Sequence, residues 1–360
     1  MPRNRMSGNK GEWSELYVFF RLLSEGRVFA ADKDAQRIES VYYPIVKVFR
    51  NEEPESPVEY VIDREHDRIN IVVDGVIEGC VPKRELGAKA DELLYEIGMN
   101  TNSFELTQIE DFANGILVFK IKAPSSDKTD IQMRVEDLYT NTQQDVGFSI
   151  KSELGSAPTL LNASRATNFV FTVRGLSHDE RERINAIESR TKIRDRIGAI
   201  YASRGSFSFL RTANETFEDN LVMIDSRLPE IIANMLEIYY SRDISSLSEI
   251  AAILARENPC GYRRAGVYEY KIRKFLCACA LGMKPSEEWD GREEANGGYI
   301  LVKGDGEVLA YHIYNREAFE LYLLENTSLE RGSTSRHDYM SLYEAEGETR
   351  INLNLQIRFK

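Results

Sequence analysis

Cysteine and histidine are scarce in this sequence, four of each in 360 residues. Their spacing excludes two common ways of stapling a fold. Cys80, Cys260, Cys277 and Cys279 include no Cys-x-x-Cys pair, and His66, His178, His312 and His337 lie far apart. Neither a zinc site nor a disulfide framework is expected. Cys277 and Cys279 sit in the apolar run 275–281, where small buried thiols are the ordinary case. No apolar run approaches the roughly 18 residues a membrane-spanning helix needs. The opening Met1-Pro-Arg-Asn-Arg lacks the hydrophobic stretch of a secretory signal, so a cytoplasmic protein with no membrane partner is expected. A basic excess is missing too. The net charge of −12 argues against a general coat for nucleic acid, whose affinity comes from neutralising phosphates, but leaves room for a site-specific enzyme.

What the chain does have is enough apolar residue, 42%, to build a real core in one large domain or two to three smaller ones. Basic charge is local. Residues 181–211 hold eight Arg or Lys against three acidic residues, and 262–274 hold Arg263, Arg264, Lys271, Arg273 and Lys274 against Glu269. Such clusters are commonly solvated helix faces, so they permit DNA contact without indicating it. A stretch of 181–211 read as an Arg-rich helix suits phosphate better than bases.

Periodicity predicts a first helix over 11–25, with Trp13, Leu16, Tyr17, Phe20 and Leu23 as a buried stripe and Gly26 ending it. Strands are predicted at 44–49, 58–62 and 69–73, then helical pattern at 85–97 and 104–112, together an insertion at about 27–115. Further strands are predicted at 116–121, 130–138 and 146–151, with 168–173 joining the same sheet. Residues 1–175 thus form a core, 176–295 a mostly helical region, and 296–360 a β segment. That last segment holds a hairpin over 299–314 turning at Gly304-Asp305-Gly306, and an alternating strand 351–359.

The chemistry gathers on two strands. Alternation puts Ile131, Met133 and Val135 on one face and Asp130, Gln132, Arg134 and Glu136 on the other; Val146, Phe148 and Ile150 oppose Gly147, Ser149 and Lys151. A hairpin centred on Thr140-Asn141 sets Asp130 opposite Lys151, and a turn one residue later sets it opposite Glu153. Either register keeps Asp130, Ser149, Lys151 and Glu153 on one face. A carboxylate and a lysine so placed suit phosphodiester hydrolysis. Mg²⁺ takes one or two carboxylates plus water and phosphate, acidifies the water, and a neighbouring ammonium stabilises developing negative charge. The plainer reading of an isolated Asp/Lys pair is an exposed cross-strand ion pair, worth about 0–1 kcal/mol.

Asp130, eighteen residues, then Ser149-Ile150-Lys151 resembles the PD-(D/E)XK nuclease core in its Ser-x-Lys form, and Gly11-x-x-x-Glu15 is similar to that superfamily's helical metal-binding Glu. Four longer strings, Asn9-Lys-Gly-Glu-Trp-Ser-Glu-Leu-Tyr, the run 147–164, Tyr311-His-Ile-Tyr-Asn and Leu353-Asn-Leu-Gln-Ile-Arg-Phe, together resemble the HpaII family of type II restriction endonucleases across essentially the whole chain. The resemblance implies an α/β fold with a mixed sheet flanked by helices, and Mg²⁺-dependent cleavage of duplex DNA (Mn²⁺ substituting) at a short palindrome, CCGG as the type specificity. It also implies 5′-phosphate ends, a homodimer on DNA, and a cognate cytosine methyltransferase protecting the host. It casts Asp130, Glu15, Lys151 and Ser149 as the catalytic set, with Asp130 and Glu15 on the metal. Ser149 stands where a second carboxylate is usual; Glu12 and Glu153 are reserves for that role, and Asp127 or Asp145 could replace Asp130. A structure-selective nuclease and a catalytically decayed DNA-binding protein of the same fold stay open as alternatives.

For base and phosphate contact, the segment after the catalytic strand offers Ser152, Ser156, Asn162 and Arg165. The polar loop 330–338 offers Arg331 and Arg336, and the last strand Asn354, Gln356 and Arg358. Arg suits guanine O6/N7 and Asn or Gln suits adenine, although half-buried strands alternate in this way without any DNA.

Overall fold

The structure, a computed structural model, describes residues 5–52, 57–122, 129–138, 142–312 and 315–360. The chain is mixed α/β and divides into two compact units, each assembled from two stretches: residues 1–158 with 293–322, and 159–292 with 323–360. The division differs from three consecutive blocks because strand partners lie far apart in sequence. Among the described residues no helix is long and apolar enough to cross a membrane.

The first unit centres on a nine-stranded sheet. Its spatial order is 27–31, 308–312, 298–302, 142–152, 131–137, 37–50, 58–63, 68–73 and 76–82, and 27–31 also pairs with 37–50. The strands expected as an insertion are therefore part of the main sheet. Gly298–Val302 runs parallel to the 142–152 strand with Ile300 beside Ile150, and antiparallel to Val308–His312 as the expected hairpin. All five residues of Gly298–Val302 are buried, as a strand covered on both faces requires. One face carries Ile45, Val48, Met133, Val146, Phe148, Ile150 and Ile300 against the apolar stripe of the first helix, Lys10–Glu25. That helix starts where predicted because Asn9 caps it: its side chain accepts from Glu12 N–H while Glu12 returns a bond to Asn9 N–H, a capping box. On the other face Tyr299 and Tyr311 meet Phe319, with ring centroids 5.1 and 5.5 Å apart.

The expected strand 116–121 is absent. Leu117 takes a positive φ of 61°, and Ile116 and Leu117 offer their carbonyls to the buried Tyr60 hydroxyl, so the apolar run packs without pairing. The strand 131–137 pairs with 142–152 as expected, but Ile131 faces Phe148, a register shifted by two or four residues from the two considered. The Thr140-Asn141 turn behind those registers lies outside the described residues.

The second unit holds a four-stranded sheet ordered 206–212, 168–174, 348–354 and 342–345, and a smaller one joining 159–161, 357–359 and 327–329. Asn168–Arg174 thus belongs here and not to the main sheet, because Phe169 and Phe171 pack on Phe209 and Phe217 of this unit. The terminal alternation is broken into two strands, Glu348–Asn354 and Ile357–Phe359, each serving a different sheet. At the break Leu355 N–H goes to Thr167 O, and buried Asn354 donates from Nδ2 to Ser164 O (2.8 Å), Thr167 Oγ1 (3.2 Å) and Asn168 Oδ1 (2.7 Å). The Arg-rich stretch is two helices, 178–185 and 192–202, and a strand. Arg196 within it is buried and donates to the carbonyls of Met340, Asn185 and Ile187, a structural role unavailable to phosphate. All four cysteines are free.

Removing the Asn354 amide leaves two buried oxygens, Thr167 Oγ1 and Asn168 Oδ1, and the part-buried Ser164 O without its hydrogen bonds. Asn354→Ala is expected to destabilise the protein by about 1–3 kcal/mol, read from the urea midpoint; a shift within error would show that the network does not hold the break in place.

Candidate active site

Asp130 occupies a bend one residue before the Ile131–Asp137 strand. Its N–H donates to Phe148 O at 3.0 Å, continuing the ladder. Its side chain then takes the place of a backbone acceptor: Oδ2 accepts from Ile150 N–H at 2.6 Å and from Ser149 Oγ at 3.2 Å. A charge-assisted bond of that length to a main-chain donor fixes the carboxylate against the strand that carries Lys151. The shifted register brings Asp130 to Ser149 and Ile150, where the sequence reading had set it opposite Lys151 or Glu153. Oδ1 has no hydrogen bond among the described residues.

Lys151 shares the face of Ser149 by alternation. It is half-buried and, among the described residues, makes no ion pair or hydrogen bond through Nζ, so the plain cross-strand ion pair with Asp130 is not formed. Ser149 supplies a hydroxyl to Asp130 where a carboxylate would repel it.

Glu15, half-buried on the first helix, borders two adjoining spaces. One is a cavity of about 30 Å³ walled by Glu15, Asp130, Thr129, Lys122, Arg50 and Glu52. That holds one or two water-sized bodies. The other is a wide cleft lined by Glu15, Lys151, Lys10, Asn102 and Ser156. The two carboxylates thus share the small space, and Glu15 and Lys151 share the open one. Among the described residues no three His, Cys, Asp or Glu side chains group as a ready metal cage. The donor set is two carboxylates, which fits an ion that completes its shell with water and phosphate.

The reserves are placed elsewhere. Glu12 caps its own helix and takes the Lys122 ammonium on Oε1 at 2.6 Å; this bond and charge hold its carboxyl below the ordinary range. Glu153 is exposed beyond the end of its strand. Asp145 forms a two-pronged pair with Arg134, at 2.6 and 2.7 Å, and Asp127 lies outside the described residues. Lys122 went unnoticed in the sequence, where a lysine after an unpaired apolar run carries no periodic signal. His312, stacked on Tyr43 at 4.5 Å, is a core residue that burial holds neutral, with its pKa pushed down to about 4.

Of the residues expected at DNA, Ser152 bonds Ser14 of the first helix at 2.8 Å and fastens helix to strand, while Ser156 is exposed on the cleft. In the second unit Asn354 is the buried amide described above. Arg331 pairs with Asp243, and Arg358 and Gln356 both bind Glu330, at 3.0 and 2.8 Å. Asn162, Arg165 and Arg336 are exposed.

The bend that delivers Asp130 depends on Gly147. A Cβ there would stand 2.5 Å from Thr129 Cγ2, inside any tolerable contact. Gly147→Ala is expected to cost about 1–3 kcal/mol of stability and to speed exchange of the Ile150 amide hydrogen; unchanged protection at Ile150 would show that the bend does not need the glycine.

Comparison with known proteins places this geometry in context. No solved structure matches the chain. The family model described as HpaII restriction endonuclease matches residues 9–359. The Type II restriction enzyme HpaII of Haemophilus parainfluenzae is 38% identical over 358 residues, 98% of each chain. With a match running from the capped first helix to the last strand, the chain belongs to the HpaII restriction endonuclease family.

Proposed function

We propose that this chain is a type II restriction endonuclease, a site-specific deoxyribonuclease that hydrolyses phosphodiester bonds in duplex DNA with Mg²⁺, Mn²⁺ substituting. Family membership and a relative named as a type II restriction enzyme support the reaction class. The order of helix, antiparallel strands and a parallel fourth strand supports a PD-(D/E)XK-type core. The observation that carries the chemical reading is Lys151: a half-buried ammonium without a protein partner among the described residues, on a cleft that also borders Glu15, next to an ion-sized cavity between Glu15 and Asp130.

Asp130 and Glu15 would hold the ion; Ile150 and Ser149 engage only Oδ2 of the Asp130 carboxylate. When bound, Mg²⁺ supplies an acidified water and a brace for the scissile phosphate. Lys151 would orient the attacking water and stabilise the charge that develops on the phosphate oxygens, a contribution of roughly 3 kcal/mol. Ser149 positions Asp130 and leaves the ion to the other two residues. Attack in line gives 5′-phosphate and 3′-hydroxyl ends. The recognised site is a short palindrome, CCGG by family membership, cut by a homodimer whose two-fold axis matches the DNA; a cognate cytosine methyltransferase completes the system.

Digestion of a sequenced plasmid with end mapping tests activity, site and cut position together. Discrete fragments are expected with Mg²⁺ or Mn²⁺ and none with EDTA; a continuous smear or intact plasmid would overturn the reading. Asp130→Ala and Lys151→Ala are each expected to lower the cleavage rate by about 100-fold or more, while binding to duplex DNA in Ca²⁺ survives. Wild-type turnover in either variant would remove that residue from the site.

A further inference from the structure

Most arginines of the second unit near the expected DNA contacts are engaged within the protein: Arg331 by Asp243, Arg358 by Glu330, Arg350 by Glu346, Arg181 by Glu344, and Arg196 by buried carbonyls. Arg165 and Arg336 are different. Both are exposed, and among the described residues neither guanidinium has a hydrogen bond or an acidic partner. Other exposed arginines of this unit, such as Arg190, Arg204, Arg263 and Arg264, also lack a carboxylate among the described residues, so it is the setting of this pair that sets it apart.

These two arginines come from loops that the fold pins together. Asn168 Nδ2, at the foot of the Arg165 turn, donates to His337 O at 2.8 Å and Asp338 O at 3.3 Å. Gly332 lets the loops touch: a Cβ there would stand 2.8 Å from Ala163 Cβ, 3.1 Å from the His337 ring and 3.2 Å from Gln356 Oε1. Tyr339 donates its hydroxyl to Gly332 O, and the His337 N–H reaches Ser333 O, so the second loop is braced from within. His337 feels both guanidiniums. Desolvation first, then Arg336 and Arg165, hold its imidazole below the ordinary pKa.

We propose that Arg165, Arg336 and His337 form a reader of G·C base pairs in the major groove of duplex DNA, carried by the second unit. This rests on the nuclease reading above and adds to it the residues that select the site. The chemistry is complementary. Guanine presents two acceptors, O6 and N7, which a guanidinium meets with two parallel donors, and cytosine presents the N4 amino donor, which an uncharged imidazole nitrogen accepts. A rigid pair of loops holds the donors ready, so little ordering entropy opposes recognition. The engaged arginines cannot serve without breaking an ion pair first.

The test is binding in Ca²⁺, at one fixed salt concentration, to two duplexes: the sequence at which wild-type cuts, or failing cleavage the tightest-bound member of a random duplex pool, and a scrambled duplex. Arg165→Ala and Arg336→Ala are each expected to weaken the specific complex by about 10- to 100-fold, and the scrambled one by less than about threefold. His337→Gln, which keeps a neutral acceptor, is expected to retain more discrimination than His337→Leu. Equal losses on both duplexes would reduce the cluster to phosphate contact, and unchanged binding would remove it from DNA altogether; either overturns the proposal. Cleavage by the wild-type protein with Mg²⁺, measured alongside, separates the two readings. Selective loss in the arginine variants with no cleavage by wild-type would uphold the reader and discard the nuclease, while clean cleavage with unaltered selectivity would do the reverse.

Discussion

A carboxylate that stands in for a backbone carbonyl organises the site. By accepting the Ile150 N–H, Asp130 satisfies a main-chain donor that would otherwise be left unpaired at the end of the ladder, a group costing roughly 1–3 kcal/mol when buried and unmet. The same bond removes rotational freedom from the carboxylate. Position and chemistry are thereby joined: the side chain cannot drift from the Lys151 strand without leaving the Ile150 N–H unmet. The Ser149 hydroxyl reinforces this with a second contact. A carboxylate at 149 would face Asp130 at close range, and like charges so near disfavour ionisation of both.

Charge follows the same logic elsewhere. Many cations in both units are neutralised within the protein, as Arg134 is by Asp145 and Arg242 by Glu257. Such surface pairs add little stability, about 0–1 kcal/mol each. Their larger effect here is subtractive: they remove many guanidinium and ammonium groups from the set available to an anionic ligand.

Much of this was legible in the sequence where the signal is local. The first helix is written in its apolar stripe and the Gly26 that ends it, and the two faces of the strands that carry Asp130 and Lys151 in strict alternation. Register was not legible, because it is set by a connection whose length the strand pattern does not reveal, and a two-residue slip preserves which face each side chain takes. The run 116–121 misled because apolar residues pack as readily against Tyr60 as they pair. The terminal alternation hid a switch of sheets, since both halves keep period two, and Asn354 sits at the switch with its amide turned inward. Sheet membership of 168–174 was likewise decided by partners nearly 200 residues away, such as Leu353 beside Phe169.

The parallel strand Gly298–Val302 has one more effect. It seals the edge of the strand that carries Lys151, yet about 150 residues separate it from Ser149, its neighbour through Tyr299. During ribosomal synthesis that edge must wait for most of the chain, so one side of the 142–152 strand stays unpaired until late. Long-range pairings of this kind form slowly. A polypeptide that stops before Gly298 would therefore lack the strand beside Phe148, and an interrupted translation product would be poorly equipped to assemble the Asp130 and Lys151 pair.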